Sequence, residues 1–533
     1  MFRPNLHLAT AAIFLFLSGI STTPGIAQTT GEKRPLVIAD SRGDYGLLAP
    51  FTHMKNGPAY LYTSYIFDTL VAQDKQGNPV PGLATAWTRS TDGLSWEVEL
   101  DDRARWHDGK PVTAEDVAFT VTYMAEHPYA FASTSGIASV EVLTSTRLKL
   151  QLKQSDAGFV SGLLTSLPIL PQHIYSSISN PEVFAERAAA TGSGPYILET
   201  QDKAQGRYLL RRNEDYYRGT PLYPAVAIVK MSTDAAIVAL KSGEIDVITD
   251  VPLDRAEAIR SSGFKLVEAP SNHPMRLTFN HAGPFGAKAA RQALAHVIDR
   301  QALVDIAYRG AAVVADPGFF QKGSPWRDPQ GQLSYPIDIS KANALLTSLG
   351  WSRDEAGRWS WNNQPVTLRL VAQPQAKAVA TAVTDQLEAF GLAVDLRLLE
   401  PAQVQQQIET GTYELALFSS STLGDPVSLI RKVFGPAFNS DRFPDHPELR
   451  KLLQEQAISA NAADRLSLLH KAQALYAAEL PSLFLVNPIW ATAHNDRVSP
   501  TFLPDGVAIG IPMAMHQAVL LPPVSQATGK AAR

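Results

Sequence analysis

The sequence predicts an α/β fold divided over about three domains, at roughly 150 residues each. Three observations lead there. Residues 365–420 alternate strand-like and helix-like patterns in the order β-α-β-α-β, and earlier segments mix period-two with helical spacing. A length of 533 residues also exceeds what one hydrophobic core comfortably fills.

Taken in order, Pro35–Asp40 reads as a buried strand and Tyr62–Leu70 as a short amphipathic helix running into a turn rich in Gly, Asn and Pro. Ser95–Leu100 and Arg147–Leu152 alternate apolar and polar residues, the pattern of half-buried strands. Between them Thr113 opens a helix. Asp116 three residues on completes a capping-box pattern, and Val117, Val121 and Met124 recur at helical spacing. Gly192-Ser193-Gly194-Pro195 breaks the chain ahead of a hairpin made by Tyr196–Glu199 and Arg207–Arg211. Thr233–Lys241 is expected as a helix stopped by Gly243, followed by strands at Ile245–Ile248 and Met275–Asn280. One long helix is expected from Ala289 to Tyr308, capped by Gly310.

In the alternating region Val366–Val371, Val394–Leu399 and Tyr413–Phe418 are the strands. Ala376–Phe390, closed by Gly391, and a helix opened by Pro401 and ended by Gly411 lie between them. Such units form parallel sheets with right-handed crossovers and bind ligands beyond the carboxyl ends of the strands. The loop Ser419–Pro426 occupies such an end. The Pro, Ala and Gly tail after Leu521 is expected to fray.

Lys plus Arg number 47 against 51 Asp plus Glu, a formal net charge of −4, which excludes any general attraction to nucleic acid or anionic lipid. Cysteine is absent. That excludes disulfides, thiolate metal sites, cysteine nucleophiles, iron-sulfur clusters and a lipid anchor on an N-terminal cysteine. Arg3 and His7 precede an apolar run, Leu8–Ile20, and the small residues Gly25 and Ala27 follow two apart. This is expected to be a secretory signal peptide over residues 1–27, cleaved after Ala27. The run is short of the roughly 20 residues a spanning helix needs. The mature chain is therefore expected in the periplasm, neither lipid-anchored nor membrane-inserted.

Catalytic signatures are missing. No G-x-S-x-G, H-E-x-x-H, Walker or G-x-G-x-x-G motif occurs. Ser262–Lys265 satisfies S-x-x-K without its companion motifs and reads as a turn into a strand. His273 and His281 flank one strand, where surface or capping roles outweigh metal binding. No catalytic residue, cofactor or metal is expected. Trp96 reads as core, whereas Trp326 and Trp490, close to prolines in expected loops, are candidates to stack on a solute. Asp44 and Tyr45, just after the first strand, are candidates because strand-end loops carry function.

Three segments then stand in succession: Pro81-Gly82-Leu83-Ala84-Thr85-Ala86-Trp87, Asp92-Gly93-Leu94-Ser95-Trp96, and Trp106-His107-Asp108-Gly109-Lys110-Pro111-Val112-Thr113-Ala114-Glu115-Asp116-Val117. Gly192–Tyr196, Arg212–Tyr217, Leu240–Asp246 and Arg291–Arg300 continue the series. Together they resemble the signature of the peptide/nickel class, family 5, of extracellular solute-binding proteins that serve ABC importers. The resemblance covers nearly the whole mature chain. It implies the two-lobed periplasmic-binding-protein fold of type II-like kind, with an additional α+β domain on the first lobe. The domains would be 28–65, 190–283 and 488–533 (first lobe), 66–189 (additional domain) and 284–487 (second lobe). The chain would cross the hinge near Asn280–Pro284 and return near Phe484–Pro488. A solute would be enclosed between the lobes of a monomer and the closed shape presented to the ABC permease subunits.

The resemblance also bears on the ligand. Peptide binders that grip a free α-amino group carry an aspartate four residues before the proline of the turn that is Gly424-Asp425-Pro426 here, and this chain has Thr422 there. Asp425 itself reads as an Asx-turn residue. Nickel-complex binders place Trp and Tyr before that turn and an Arg near the segment Leu163–Pro168, which this chain lacks. The candidate ligand-binding residues are Asp44, Tyr45, Ser420, Ser421, Thr422 and Trp490, with the hydroxyl-rich Ser419–Thr422 loop suited to a polyhydroxylated solute. The expected function is capture of a peptide-like or other small polar solute. The alternatives are an oligosaccharide, opine, sugar-phosphate conjugate or nickel chelate. From other classes, the rivals are a secreted glycan or cell-wall hydrolase, which would need a carboxylate pair in the cleft, and a periplasmic chaperone or chemoreceptor partner.

Overall fold

The computed structural model describes residues 34–523 except 272, 331–332, 420–423, 505, 508–509 and 511. The N-terminal segment read as a signal peptide and the tail beyond Pro523 lie outside the described residues.

One strand, Ser482–His494, belongs to two sheets. Its first half pairs with Met275–Phe279 and Ala312–Val314, and its second half with Lys265–Pro270 and Val247–Ile248. The exchange of partners falls between Pro488, opposite Ala312, and Ile489, opposite Pro270. On the second-lobe side the order continues through Leu415–Ser419 and Thr367–Ala372 to Ala393–Leu398. On the first-lobe side it runs through Leu36–Asp40, Ala225–Lys230 and Arg207–Arg212 to Tyr196–Asp202. Each half has its own core. Leu36, Ile38, Tyr62, Leu210 and Ile228 belong to the first, and Leu277, Leu294, Leu370, Leu417 and Leu483 to the second. Each such side chain contributes about 1.5–3 kcal/mol by leaving water.

A third apolar cluster marks the additional domain. Four antiparallel strands, in the order Ala84–Arg89, Ser95–Leu100, Arg147–Leu152 and Ile137–Thr144, pack with the helix Ala114–Glu126 around Val98, Trp106, Val117 and Leu148. The capping box is present: Asp116 Oδ2 accepts from the Thr113 N–H at 2.9 Å and also from the Trp106 indole N–H at 3.3 Å. His107 reaches the first lobe. Its Nδ1 accepts from the Gly192 N–H at 3.3 Å and its Nε2 lies 3.0 Å from the Gly194 carbonyl, so Nε2 carries the proton. Gly192 is glycine for a steric reason, since a Cβ there would lie 1.9 Å from the Ile66 carbonyl oxygen. The signature segments thus dock the additional domain onto the first lobe.

Three expectations need correction. The helix placed at Tyr62–Leu70 spans Gly57–Thr63, because Asn56 caps it by accepting from the Ala59 N–H at 3.0 Å and Pro58 occupies its first turn. The long helix from Ala289 is two helices, Lys288–Val297 and Arg300–Ala307. Ile298 is extended, and Asp299 caps the second helix by accepting from the Ala302 N–H at 3.0 Å. The forward hinge crossing lies at residues 271–274, ahead of Asn280–Pro284, because Met275–Phe279 already pairs with Leu415–Ser419.

Candidate functional site

Strand directions define the cleft. In the first lobe Leu36–Asp40, Ala225–Lys230 and Val247–Ile248 are parallel, and Val247–Ile248 opposes the outgoing half of the shared strand. Their carboxyl ends therefore point back to the hinge. In the second lobe Thr367–Ala372, Ala393–Leu398 and Leu415–Ser419 are parallel, and Ser419 pairs with Met275, the first strand residue after the crossing. The strand ends at Asp40 and at Ser419 thus face one cleft from opposite lobes, the position beyond which strand-end ligand sites lie. The two hinge segments are tied together: the Asn487 amide donates to the Ser271 carbonyl at 2.8 Å, and the Ser271 N–H to the Pro488 carbonyl at 2.7 Å.

On the first-lobe wall Asp40 is buried and accepts from Arg42 at 3.0 and 3.2 Å, from the Tyr62 hydroxyl at 2.9 Å and from Thr249 at 3.0 Å. Burial disfavours the Asp40 carboxylate, but Arg42 and the hydrogen bonds outweigh it and hold the group below its ordinary range. Asp44 is exposed, and its Oδ1 accepts from the Tyr208 hydroxyl at 2.8 Å and the Gly46 N–H at 2.9 Å. Tyr45 does not line the wall. Only 1% exposed, it packs against the Tyr62 and Tyr208 rings and donates its backbone N–H to the Tyr208 hydroxyl. Position after the strand marks both residues, but Tyr45 belongs to the aromatic cluster of the first-lobe core.

On the second-lobe wall Ser420, Ser421 and Thr422 lie outside the described residues. Ser419, just before them, donates to the His273 carbonyl of the hinge crossing at 2.6 Å. Beside it is a charged cluster that sequence reasoning missed. Arg276 pairs with buried Asp441 at 2.5 Å, donates to the Asn439 carbonyl at 2.6 Å and lies 4.8 Å from the Phe418 ring centre. Asp441 also accepts from the Tyr476 hydroxyl at 2.8 Å and from Ser482. Burial pushes the Asp441 carboxyl up against the pull of Arg276. Lys432, on the helix Leu429–Phe434, is half-buried, and burial followed by nearby Arg276 lowers it to about 8. Burial, with Lys432 adding to it, lowers His273 to about 4, so its ring is neutral at pH 7.

The two tryptophans separate. Trp490 is half-buried opposite Ala269, two residues past Pro488, so it lies on the shared strand beside the hinge and not in the expected loop. Trp326 packs in the second lobe, with the Arg465 guanidinium 4.9 Å from its ring. Asp425 forms the Asx turn, accepting from the Val427 N–H at 2.9 Å, and it also pairs with Arg465 and accepts from Ser161 of the additional domain at 2.6 Å. Among the described residues no group of three or more His, Cys, Asp or Glu converges to hold a metal, and no helix is long and apolar enough to cross a membrane.

Two lobes, a hinge of two segments and a cleft built from strand-end loops define a periplasmic-binding-protein fold. The chain belongs to the bacterial extracellular solute-binding proteins, family 5, whose pattern (described as "family 5 Middle") matches residues 78–440. It is 26% identical over 373 residues to the oligopeptide-binding protein AppA of Bacillus subtilis, 66% of each chain. It is 24% identical to di/tripeptide-binding protein 1 of Pseudomonas aeruginosa, over 82% of this chain and 86% of that one. Among solved structures it is similar to the ABC transporter substrate-binding protein CtaP of Listeria monocytogenes, with a TM-score of 0.75, 23% identity, and 90% and 99% of the two chains covered. NikA of Brucella suis, in complex with Fe(III)-EDTA, gives 0.77 at 20% identity over 90% and 98%.

Proposed function

We propose that the chain is the exported capture component of an ABC importer. It takes a peptide-like or other small polar solute into the cleft and hands it to the permease as the lobes close, without catalysis. The observation that carries this reading is the convergence of both sets of strand ends on one cleft spanned by two hydrogen-bonded hinge segments. Exposed Asp44 is the partner for a solute ammonium, the role left vacant by Thr422, while Ser420, Ser421 and Thr422 supply hydroxyls and Trp490 an apolar floor. Cleavage after Ala27 would release a monomer without a lipid anchor into the periplasm.

Native mass spectrometry of the purified mature protein, repeated after denaturation, tests this. A retained peptide mass is the expected result. A sugar-containing mass would move the ligand class to the hydroxyl loop, a metal adduct would indicate a chelate, and a protein that neither carries nor binds any solute would overturn capture.

A further inference from the structure

Besides the two hinge crossings, the lobes are joined at a third place, through the additional domain. Residues 155–164 follow its strand Arg147–Leu152 and are rooted in its core by Phe159 and Leu164. Arg89, from the same sheet, holds Ser155 by donating to its hydroxyl at 2.7 Å. The Ser155 hydroxyl in turn donates to the Ile458 carbonyl at 3.1 Å, the Ala157 N–H to the Ala457 carbonyl at 2.8 Å and the Ser161 hydroxyl to Asp425 Oδ2 at 2.6 Å. Arg465 donates back to the Ala157 carbonyl at 3.3 Å. These partners stand on the Asp425 turn and on the helices Pro447–Ile458 and Ala462–Glu479, none of which carries a hinge crossing. The additional domain is meanwhile fixed to the first lobe by three hydrogen bonds between His107 and the Gly192–Gly194 turn.

We propose that the additional domain is a clasp: through residues 155–161 it holds the second lobe closed against the first. The two crossings let the lobes turn about the hinge, and a contact outside both fixes the angle and must break whenever the cleft opens. Its chemistry suits a contact that forms and breaks. Asp425 and Arg465 belong to the same lobe, so opening separates no charged pair and only wets one that closure buries. The bonds given up run to hydroxyl and backbone groups, which water can replace. The clasp deepens the solute-capture reading and rests on it for the purpose of closure, but the contact itself needs no solute.

The chain has no cysteine, so Glu126→Cys and Lys451→Cys, both at exposed positions, place one spin label on each side of the contact. Double electron–electron resonance on the labelled mature protein is expected to show one dominant short distance. Adding Ser155→Ala and Ser161→Ala should move population to longer distances and lower the ratio of short to long about tenfold, the worth of one hydrogen bond to a charged group. Ser161→Thr, which keeps the hydroxyl, should match the labelled parent, and a shift there too overturns the role given to the hydroxyl. Identical distributions with and without the two alanines overturn the clasp, as does a parent dominated by the long distance. If native mass spectrometry finds no solute while the two alanines still lengthen the distance, capture is overturned and the clasp is supported.

Discussion

Arg465 and Asp425 form a two-point ion pair, Nη2 to Oδ1 at 2.5 Å and Nη1 to Oδ2 at 3.2 Å, with both side chains less than a tenth exposed. The pair sits where the additional domain meets the second lobe. Arg465 also donates to the Ala157 carbonyl at 3.3 Å, and the Ala157 N–H donates to the Ala457 carbonyl at 2.8 Å. Removing one partner leaves a buried charge, which typically costs about 3–5 kcal/mol, whereas an apolar replacement of both costs much less. Asp425→Ala should therefore be strongly destabilised, and Asp425→Ala with Arg465→Met should recover most of the loss. Urea denaturation of the four-member cycle checks this, and additive losses would contradict a direct pair.

Gly158 lies against the same pair. A Cβ there would fall 2.5 Å from Asp425 Oδ1 and 2.9 Å from Val427 Cγ2, although the backbone at φ −96° accepts alanine without strain. Gly158→Ala should hold the additional domain away from the second lobe and leave the first lobe intact. Small-angle X-ray scattering should then give a larger radius of gyration than wild type, with the midpoint of first-lobe unfolding unchanged. An identical radius would mean that Asp425 gives way.

How much of this was legible depends on the range of the interaction. The alternation over residues 365–420 is local, and its three strands and two helices fall close to where the pattern puts them. The break at Ile298-Asp299 was hidden because both flanking segments are helical and one aspartate cap decides the interruption. The strand at Met275 was found but assigned to the wrong side of the hinge, since a strand's own sequence does not say which sheet it joins. Asp44 and Trp490 were singled out from position alone, and Trp490 lies in the strand Ser482–His494 and not in the expected loop. Arg276 and Asp441 stand 165 residues apart, and Ser161 and Asp425 264 apart, so no spacing pattern announces either contact.

The link between His107 and the Gly192–Gly194 turn gives a pH dependence. Burial, above all, lowers the His107 imidazole to about 4 from its ordinary 6.5. Between those values the unfolded chain binds a proton that the folded one refuses, so stability is fully present above about pH 6.5 and falls as the pH drops towards 4. The loss is about 3 kcal/mol at 1.36 kcal/mol per pH unit. His107→Gln should flatten the fall in denaturation free energy between pH 7 and pH 4 by about that amount. An unchanged slope would place the titration elsewhere.

The hinge supplies the last prediction. Asn487 is 1% exposed, and its amide is the side-chain donor to the Ser271 carbonyl, while the backbone bond from Ser271 to Pro488 persists whatever residue stands at 487. Asn487→Ala leaves one buried carbonyl short of its donor, about 1–3 kcal/mol, without touching either lobe's core. Because that loss falls on the only side-chain tie between the two crossings among the described residues, it should appear as freer lobe motion before any loss of fold. Hydrogen exchange should speed up at Ser271 and Ile489, whose N–H groups bond to the Pro488 and Ala311 carbonyls, while amides of the Leu415–Ser419 strand exchange as in wild type. Faster exchange spread over the whole second lobe would show instead that Asn487 supports the lobe's core, and the hinge would owe its order to the backbone bonds alone.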